Sequence, residues 1–386
     1  MHLSHPAVLA AILILPLLAV LIDGAAGLRA RNRTYEFGDL TESNFRILVP
    51  IWGQVRYLTN LEYLSQYGAQ VTLCTTGNET PEFVAELRQI ADCYGFRVFI
   101  DDPSSSTGKH RHRVHTHKRR STSGTIRDRL IRHALAEVAE PYVVPLDADT
   151  ITRQHLSVLV GELVRRKLDL ASIRLVVNNP RVSLLTRLQT LEYRLAMQMR
   201  FVAPWMVSGA CHVARTEVLT DIMRRHSLFF QGNDVEIGVI AQARKYRVGH
   251  IPFEVPTDVP ADFKSWLRQR LAWAGGEVRL FIGNPQLILK HPFFWFYGGV
   301  VTIIGLFFRW LSITEPSLVL IWALVLYIAL ALYLHWKSKS ALVLIMPIYA
   351  FISSMVLTPL GIIWYIKMAV ADSNWGMIRP NRTSQN

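Results

Sequence analysis

Cysteine is scarce in this chain, with Cys74, Cys93 and Cys211 the only three in 386 residues. Their number is odd and their spacing matches no metal site, which excludes a disulfide framework and suits free thiols in a reducing compartment. Acidic residues are outnumbered, 29 against 42 Lys and Arg, for a formal net charge of +13. That excess suits anionic lipid surfaces or a phosphorylated substrate. No recognition module accompanies it, so nucleic acid is not an expected partner. Lys and Arg are also absent ahead of the first apolar run, residues 7–22, where a cleaved signal peptide needs them.

Apolar residues are plentiful, 51% of the chain. They concentrate in 7–22 and again in 287–366, around a middle that reads as globular α/β. The length allows about two or three domains. The pattern predicts an integral membrane protein with a large extramembrane domain. Arg29, Arg31 and Arg33 follow the first run, and the positive-inside rule then places the N-terminus outside and the middle domain in the cytoplasm. A signal cleaved near Ala25–Gly27 is the competing reading. Segments near 292–313, 316–334 and 341–366 are each long enough to span. Pro347 and Pro359 break the last, which leaves the side of the C-terminus open.

Within the middle, "FRILVPIW" (45–52) predicts a first strand, 55–67 a helix, and "AQVTLCTTGNET" a second strand. "PEFVAELRQIADCYG" predicts a helix opened by Pro81 and closed by Gly95, and "FRVFIDD" a third strand. This alternation means a parallel sheet with ligands at the carboxyl ends of its strands. The basic, His-rich stretch 104–124 is a solvated loop or a cationic lid for phosphates; its histidines sit among repelling cations, which disfavours a metal site. "TIRDRLIRHALAEVA" is a helix returning the chain to the strand "YVVPL".

That strand ends in Asp147 and Asp149. Two like charges beside an apolar run are unfavourable unless a cation or donors compensate them. Mn²⁺ or Mg²⁺ held by these carboxylates and a substrate's phosphates would do so, although Asp at strand ends also serves as a plain turn former. Further on, "DFKSWLRQRLAWAGGEVRLFI" places Phe263, Trp266, Leu267, Leu271 and Val278 among cations. It reads as an amphipathic helix for a membrane interface.

The ordered set "LDADT", "SLLTRLQTLEYRLAMQMR", "VSGACHVAR", "FFQGNDVEIG", "TDVPADFKSWLRQRLAW", apolar segments and "SNWGMIR" resembles the membrane-integrated, processive inverting glycosyltransferases of the hyaluronan, chitin and cellulose synthase kind. The hyaluronan synthase-like branch is the nearest. The resemblance spans roughly 45–380. It implies a cytosolic GT-A domain, Rossmann-like with a mostly parallel sheet, that binds a UDP-sugar with Mn²⁺ or Mg²⁺ and extends a β-linked polysaccharide. Asp149 would hold the metal, and Asp147 would meet the ribose or the metal shell. Lys118 and Arg119 would lie near the diphosphate, and Ser208 and Gly209 beside the acceptor. Asp234 would be the general base, against its other reading as a helix N-cap. Gln269, Arg270 and Trp273 match the Gln-x-x-Arg-Trp motif at the acceptor terminus, while Trp273 also suits an interfacial anchor.

The chain departs from the pattern in three places. Ala272 replaces the motif's arginine, Thr75 or Thr76 stands where a uridine-binding Asp is expected, and the terminal Trp375–Arg379 pattern is one residue longer. The division implied is an N-terminal transmembrane helix over 1–30, a glycosyltransferase domain over 40–262, amphipathic interface helices over 263–285, transmembrane helices over 286–370 and a tail over 371–386. Two rival readings stand beside this one, the first suited by the basic interfacial helix and the second by the departures. One is single-sugar transfer to a polyprenyl phosphate or lipid acceptor; the other is a non-enzymatic membrane protein with a degenerate sugar-nucleotide domain.

Overall fold

The computed structural model describes residues 21, 24–25, 27–30, 33–101, 123–228, 233–284, 316–334, 340–351 and 357–372. The expected N-terminal helix, the basic loop with Lys118 and Arg119, the segment near 292–313 and the tail lie wholly or largely outside these residues.

Strands β1 (Phe45–Pro50) and β2 (Val71–Thr76) are buried along their whole length, as strands covered on both faces must be. They join β3 (Arg97–Asp101), β4 (Tyr142–Pro145), β5 (Leu170–Val177), β6 (Val213–Arg215) and β7 (Val248–Thr257) in one seven-stranded sheet, ordered β3-β2-β1-β4-β6-β5-β7. The first four strands are parallel to one another, as the alternation predicts, and β5 is parallel to β7. Short β6 runs antiparallel to both β4 and β5, so the sheet is mixed and mostly parallel.

Each face of the sheet carries its own apolar layer. On one, Phe83, Leu87 and Ala91 of α2 (Pro81–Tyr94) and Leu156, Leu159 and Leu163 of α4 (Leu156–Arg165) meet Ile47, Val49 and Leu73. On the other, Leu130 and Ile131 of α3 (Ser123–Ala134), Leu219 and Ile222 of α6 (Thr216–Arg225) and Ile237 of α7 (Asn233–Ala243) meet Leu48 and Cys74. Helix α2 ends as its sequence predicts, at Gly95 with φ 71°, a left-handed conformation that glycine adopts without strain.

The continuous helix expected over 55–67 is a 3₁₀ turn, Val55–Tyr57, followed by the short α1 (Leu61–Ser65). The break has a tertiary cause. Thr59 donates its N–H to Ala148 O, and the Asn60 amide donates to the carbonyls of Asp147 and Thr150. These groups serve the turn after β4 instead of a helical ladder.

Ahead of β1 the chain is strapped to α4. Glu162, shielded from solvent, accepts from Tyr35 Oη at 2.7 Å, Gly38 N at 2.6 Å and the Arg165 guanidinium. Gly161 admits the strap, since a Cβ there would lie 1.9 Å from Leu40 O.

The expected interface region is one helix, α8 (Phe263–Gly283). Phe263 is exposed, but Trp266 is buried against α5 (Leu184–Met199), where its Nε1 donates to Tyr349 Oη of α10 (Met346–Phe351) at 2.9 Å. The described residues of the proline-bearing segment 341–366 lie in a 3₁₀ turn at Ala341–Leu344, in α10, and in α11 (Thr358–Asp372). Among residues with described side chains no helix is long and apolar enough to cross a membrane. The most apolar helix is α9 (Pro316–Leu334), without a charged residue.

Candidate active site

Two distant sequence motifs meet at the end of β4. Leu146 bridges Cys211 in antiparallel register, and Asp147 N donates to Ala210 O at 3.0 Å. The "LDADT" turn therefore lies against "VSGAC". Thr150 N closes the turn onto Asp147 O at 3.0 Å, and Asn60 clamps it from below. Asp147 keeps 35% side-chain exposure and Asp149 is exposed, so both carboxylates reach solvent at the carboxyl edge of the sheet.

Sequence reasoning missed the cation that holds this corner. Arg127, on α3, donates from Nε to Asp147 Oδ1 at 2.6 Å and from Nη1 to Asp128 Oδ1 at 2.8 Å, and its Nη2 bonds Gly209 O. Burial works against its charge, but Asp147 and Asp128 outweigh that and hold the guanidinium firmly protonated. The signal available in sequence was an Arg-Asp pair on a helix whose apolar face is otherwise regular, which an ordinary surface helix would also show. Crowding by protein raises the Asp147 pKa, with Arg127 opposing and Asp149 adding to the rise.

Asp234 begins the first turn of α7, but it does not cap the helix. Its Oδ2 accepts from Gly209 N at 2.9 Å and its Oδ1 from Val235 N at 3.1 Å. Burial raises its pKa; the Gly209 bond and Arg127 pull the other way. A carboxylate so placed is a better proton acceptor near neutral pH than an ordinary surface Asp. Glu236, two residues on, is fully buried among Arg279, Ser227 and Asn284, so it ties α7 to α8. Ser208 is buried, and its carbonyl accepts from His212 Nδ1 at 3.1 Å when that nitrogen carries the proton. Burial pushes His212 down to about 3, and it stays neutral.

The remaining expected contacts do not join this cluster. Thr75 is corrected: it is fully buried with its hydroxyl unpartnered, facing the core layer as strand alternation dictates for the residue two after Leu73. Thr76 instead donates to Glu79 Oε1 at 3.0 Å, and Glu79 also accepts from Gly53 N at 3.1 Å. Arg270 is corrected as well. Its guanidinium is committed to Glu192 of α5, at 2.6 and 2.7 Å, and buried. Gln269 has a buried, unpartnered Oε1. Trp273 is 42% exposed, with the Arg270 guanidinium 4.5 Å from its ring centroid.

Asp147 and Asp149 offer hard oxygen donors of the kind Mn²⁺ and Mg²⁺ take, and Asp147 Oδ2 is left outside the Arg127 contact. Among the described residues no group of three or more His, Cys, Asp and Glu converges. The donor set therefore fits a cation whose remaining ligands come from phosphates and water.

Residues 142–337 match the model of glycosyl transferase family group 2. An N-acetylglucosaminyltransferase of Rhizobium meliloti (strain 1021) is 27% identical over 176 residues, covering 42% of this chain and 41% of the relative. A hyaluronan synthase of Streptococcus pyogenes is 26% identical over 274 residues, covering 64% and 65%. The chain thus spans less than two thirds of either relative. Among solved structures, the mannosyltransferase PcManGT of Pyrobaculum calidifontis, in complex with GDP-Man and Mn²⁺, matches over 95% of this chain and 97% of its own, with a TM-score of 0.53 and 16% identity. At that identity the likeness is one of fold, an α/β fold of GT-A type.

Proposed function

The chain belongs to glycosyl transferase family group 2, and we propose that it transfers a sugar from a nucleoside diphosphate donor, UDP-linked by preference, to a saccharide acceptor with inversion. The observation that carries this reading is the meeting of Asp147 and Asp234 around Gly209. A carboxylate suited to a cation and a carboxylate suited to a proton are linked through Arg127 and Gly209.

Asp147 and Asp149 would hold Mn²⁺ or Mg²⁺, which would supply charge neutralisation for the departing diphosphate. Arg127 keeps Asp147 oriented and its charge compensated. Asp234 takes the proton from the acceptor hydroxyl at its Oδ atoms, which Gly209 N–H and Val235 N–H hold in place. Direct attack by that hydroxyl needs no covalent nucleophile, and the buried Cys211 thiol, pushed up to about 12, supplies none. Trp273, half-exposed on α8, offers an aromatic face to the acceptor sugar, and Gln269, Lys118 and Arg119 are proposed to line the donor and acceptor paths.

A multi-pass membrane setting with the catalytic domain in the cytoplasm is part of the proposal, as is the division into an N-terminal span, a domain over 40–262, the α8 region and C-terminal apolar helices. Arg29, Arg31 and Arg33 support the orientation. The apolar sequence over 287–366 supports the spans, and α9 carries no charged residue. Ile321, Val325, Leu332 and Tyr333 are exposed on it. Its exposed apolar face also suits a lipid acceptor, the second reading.

The full chain in membranes, supplied with a panel of UDP-sugars and GDP-mannose under Mn²⁺, Mg²⁺ or EDTA, tests the proposal by nucleotide release. Cation-dependent release from one donor is expected, with a ladder of products for a polymerase and one added sugar for the alternative. No release from any donor would refute the proposal. A reporter ahead of His2 should be reached from outside and one at Gly124 only from the cytosol.

A further inference from the structure

Asp147 and Asp234 are joined by an unbroken chain of hydrogen bonds. Asp147 Oδ1 accepts from Arg127 Nε, Arg127 Nη2 donates to Gly209 O, and Gly209 N donates to Asp234 Oδ2. The guanidinium also holds Asp128 through Nη1. Asp128 is buried, with Oδ2 unpartnered, so three carboxylates that would repel one another are gathered around one buried cation. Each of the three nitrogens of Arg127 meets a different group, on the donor-side turn, on its own helix and on the acceptor-side turn. Its planar fork is the only part of the chain described as touching both turns by side chain.

We propose that Arg127 is the positioning residue that sets the donor-side carboxylate and the general base at a fixed separation, so that occupation of Asp147 is felt at Asp234. This inference rests on the glycosyl-transfer reading and deepens it. The physical ground is geometric. The Gly209 peptide is held from both ends, its carbonyl by Arg127 and its N–H by Asp234, and a shift of Arg127 toward or away from Asp147 must move that peptide. A lysine in its place keeps the charge but has one compact ammonium, which cannot serve Asp147, Asp128 and Gly209 O in a rigid plane. The coupling is carried by directly bonded groups, so it does not depend on a long path of packed side chains.

The test uses the full chain with UDP and Mn²⁺ as the probe, and hydrogen exchange across residues 205–213 as a readout independent of turnover. In the wild type, UDP with Mn²⁺ should slow exchange in this segment. Arg127→Lys should still bind UDP with Mn²⁺, its affinity reduced far less than its transfer, while that slowing disappears at saturating UDP and Mn²⁺, and sugar transfer should fall about 10²-fold, as a misplacement near 1 Å produces. In the double variant with Asp234→Asn the two losses should not multiply, because both act on one proton transfer.

Three results would overturn the proposal. One is an Arg127→Lys protein with wild-type transfer and wild-type slowing. Another is a loss of transfer matched by equal losses of melting temperature and of UDP affinity, the mark of a merely structural role. The third, decisive even if every Arg127 variant fails to fold, is a wild type whose 205–213 segment ignores UDP and Mn²⁺ while binding them. A wild type that neither binds UDP nor consumes any donor would instead remove the glycosyl-transfer reading, and this inference with it.

Discussion

Arg270 and Glu192 form a two-pronged ion pair across α8 and α5, 2.6 and 2.7 Å long, and Tyr349 Oη adds a third bond to the same carboxylate at 2.8 Å. The arginine expected at the substrate is thus spent on fastening the helix that carries Gln269 and Trp273. Removing one partner of a buried pair strands the other. Glu192→Gln should therefore lower stability by about 3 kcal/mol, the low end for such pairs because Glu192 is a quarter exposed. Thermal unfolding of the full chain checks this.

The same pair makes Ala272→Arg informative. Since Arg270 is occupied and Ala272 holds the family's arginine position, the added guanidinium should tighten donor binding without disturbing the Glu192 contact. Weaker binding, measured by titration with UDP and Mn²⁺, would show that Arg268 or another cation already fills the place. Trp273→Ala should lose transfer while retaining UDP, whereas a pure membrane anchor would lose expression instead.

Asp234→Asn removes a proton acceptor and keeps its shape. Transfer should fall about 10²–10⁴-fold, with donor affinity unchanged. The burial that raises the Asp234 pKa moves the acid limb of the pH–rate profile upward from where an ordinary Asp would set it. Asp234 is the active base only when ionised, so the rate declines as pH falls through that limb, and the Asn variant should lack it.

Asp149→Ala should abolish the ability of Mn²⁺ to strengthen UDP binding and leave the fold intact, since Asp149 is exposed at a strand end. Calorimetric titration with and without EDTA reads this directly. UDP binding indifferent to EDTA in the wild type would refute the cation's place in the site.

Gly209→Ala should fold normally. An added Cβ would meet Asp234 Oδ2 at 3.6 Å, an ordinary contact, but it would stand where an acceptor hydroxyl must approach the base. Transfer should fall while UDP affinity and melting temperature hold.

Glu162 governs acid stability. The Arg165 guanidinium, Gly38 N–H and Tyr35 hydroxyl overcome the opposing effect of burial and lower its pKa to about 2. The stabilisation is complete above the unfolded value near 4.5 and is lost as pH falls toward 2. Glu162→Gln should cost about 3 kcal/mol at pH 7, from the size of that shift. It should also flatten the dependence of stability on pH between those values. Acid titration of the melting temperature measures both.

By itself the sequence determined the first four strands, the Pro81–Gly95 helix and the parallel start of the sheet, and it named Asp147, Asp149, Ser208, Gly209 and Asp234 as candidates. These rest on local periodicity, capping residues and an ordered set of motifs, all written along the chain. Only the tertiary structure decided which of them touch. The split of 55–67 follows from Asn60 being claimed by the Asp147 turn, and the burial of Thr75 from which face of β2 meets the core. Arg127 on α3 carries no motif, and Glu192 on α5 lies in one that assigned it no role; their roles come from what folding sets opposite them. A charged side chain's function depends on the partner that compensates it in the interior, and that partner is chosen by packing between elements far apart in sequence.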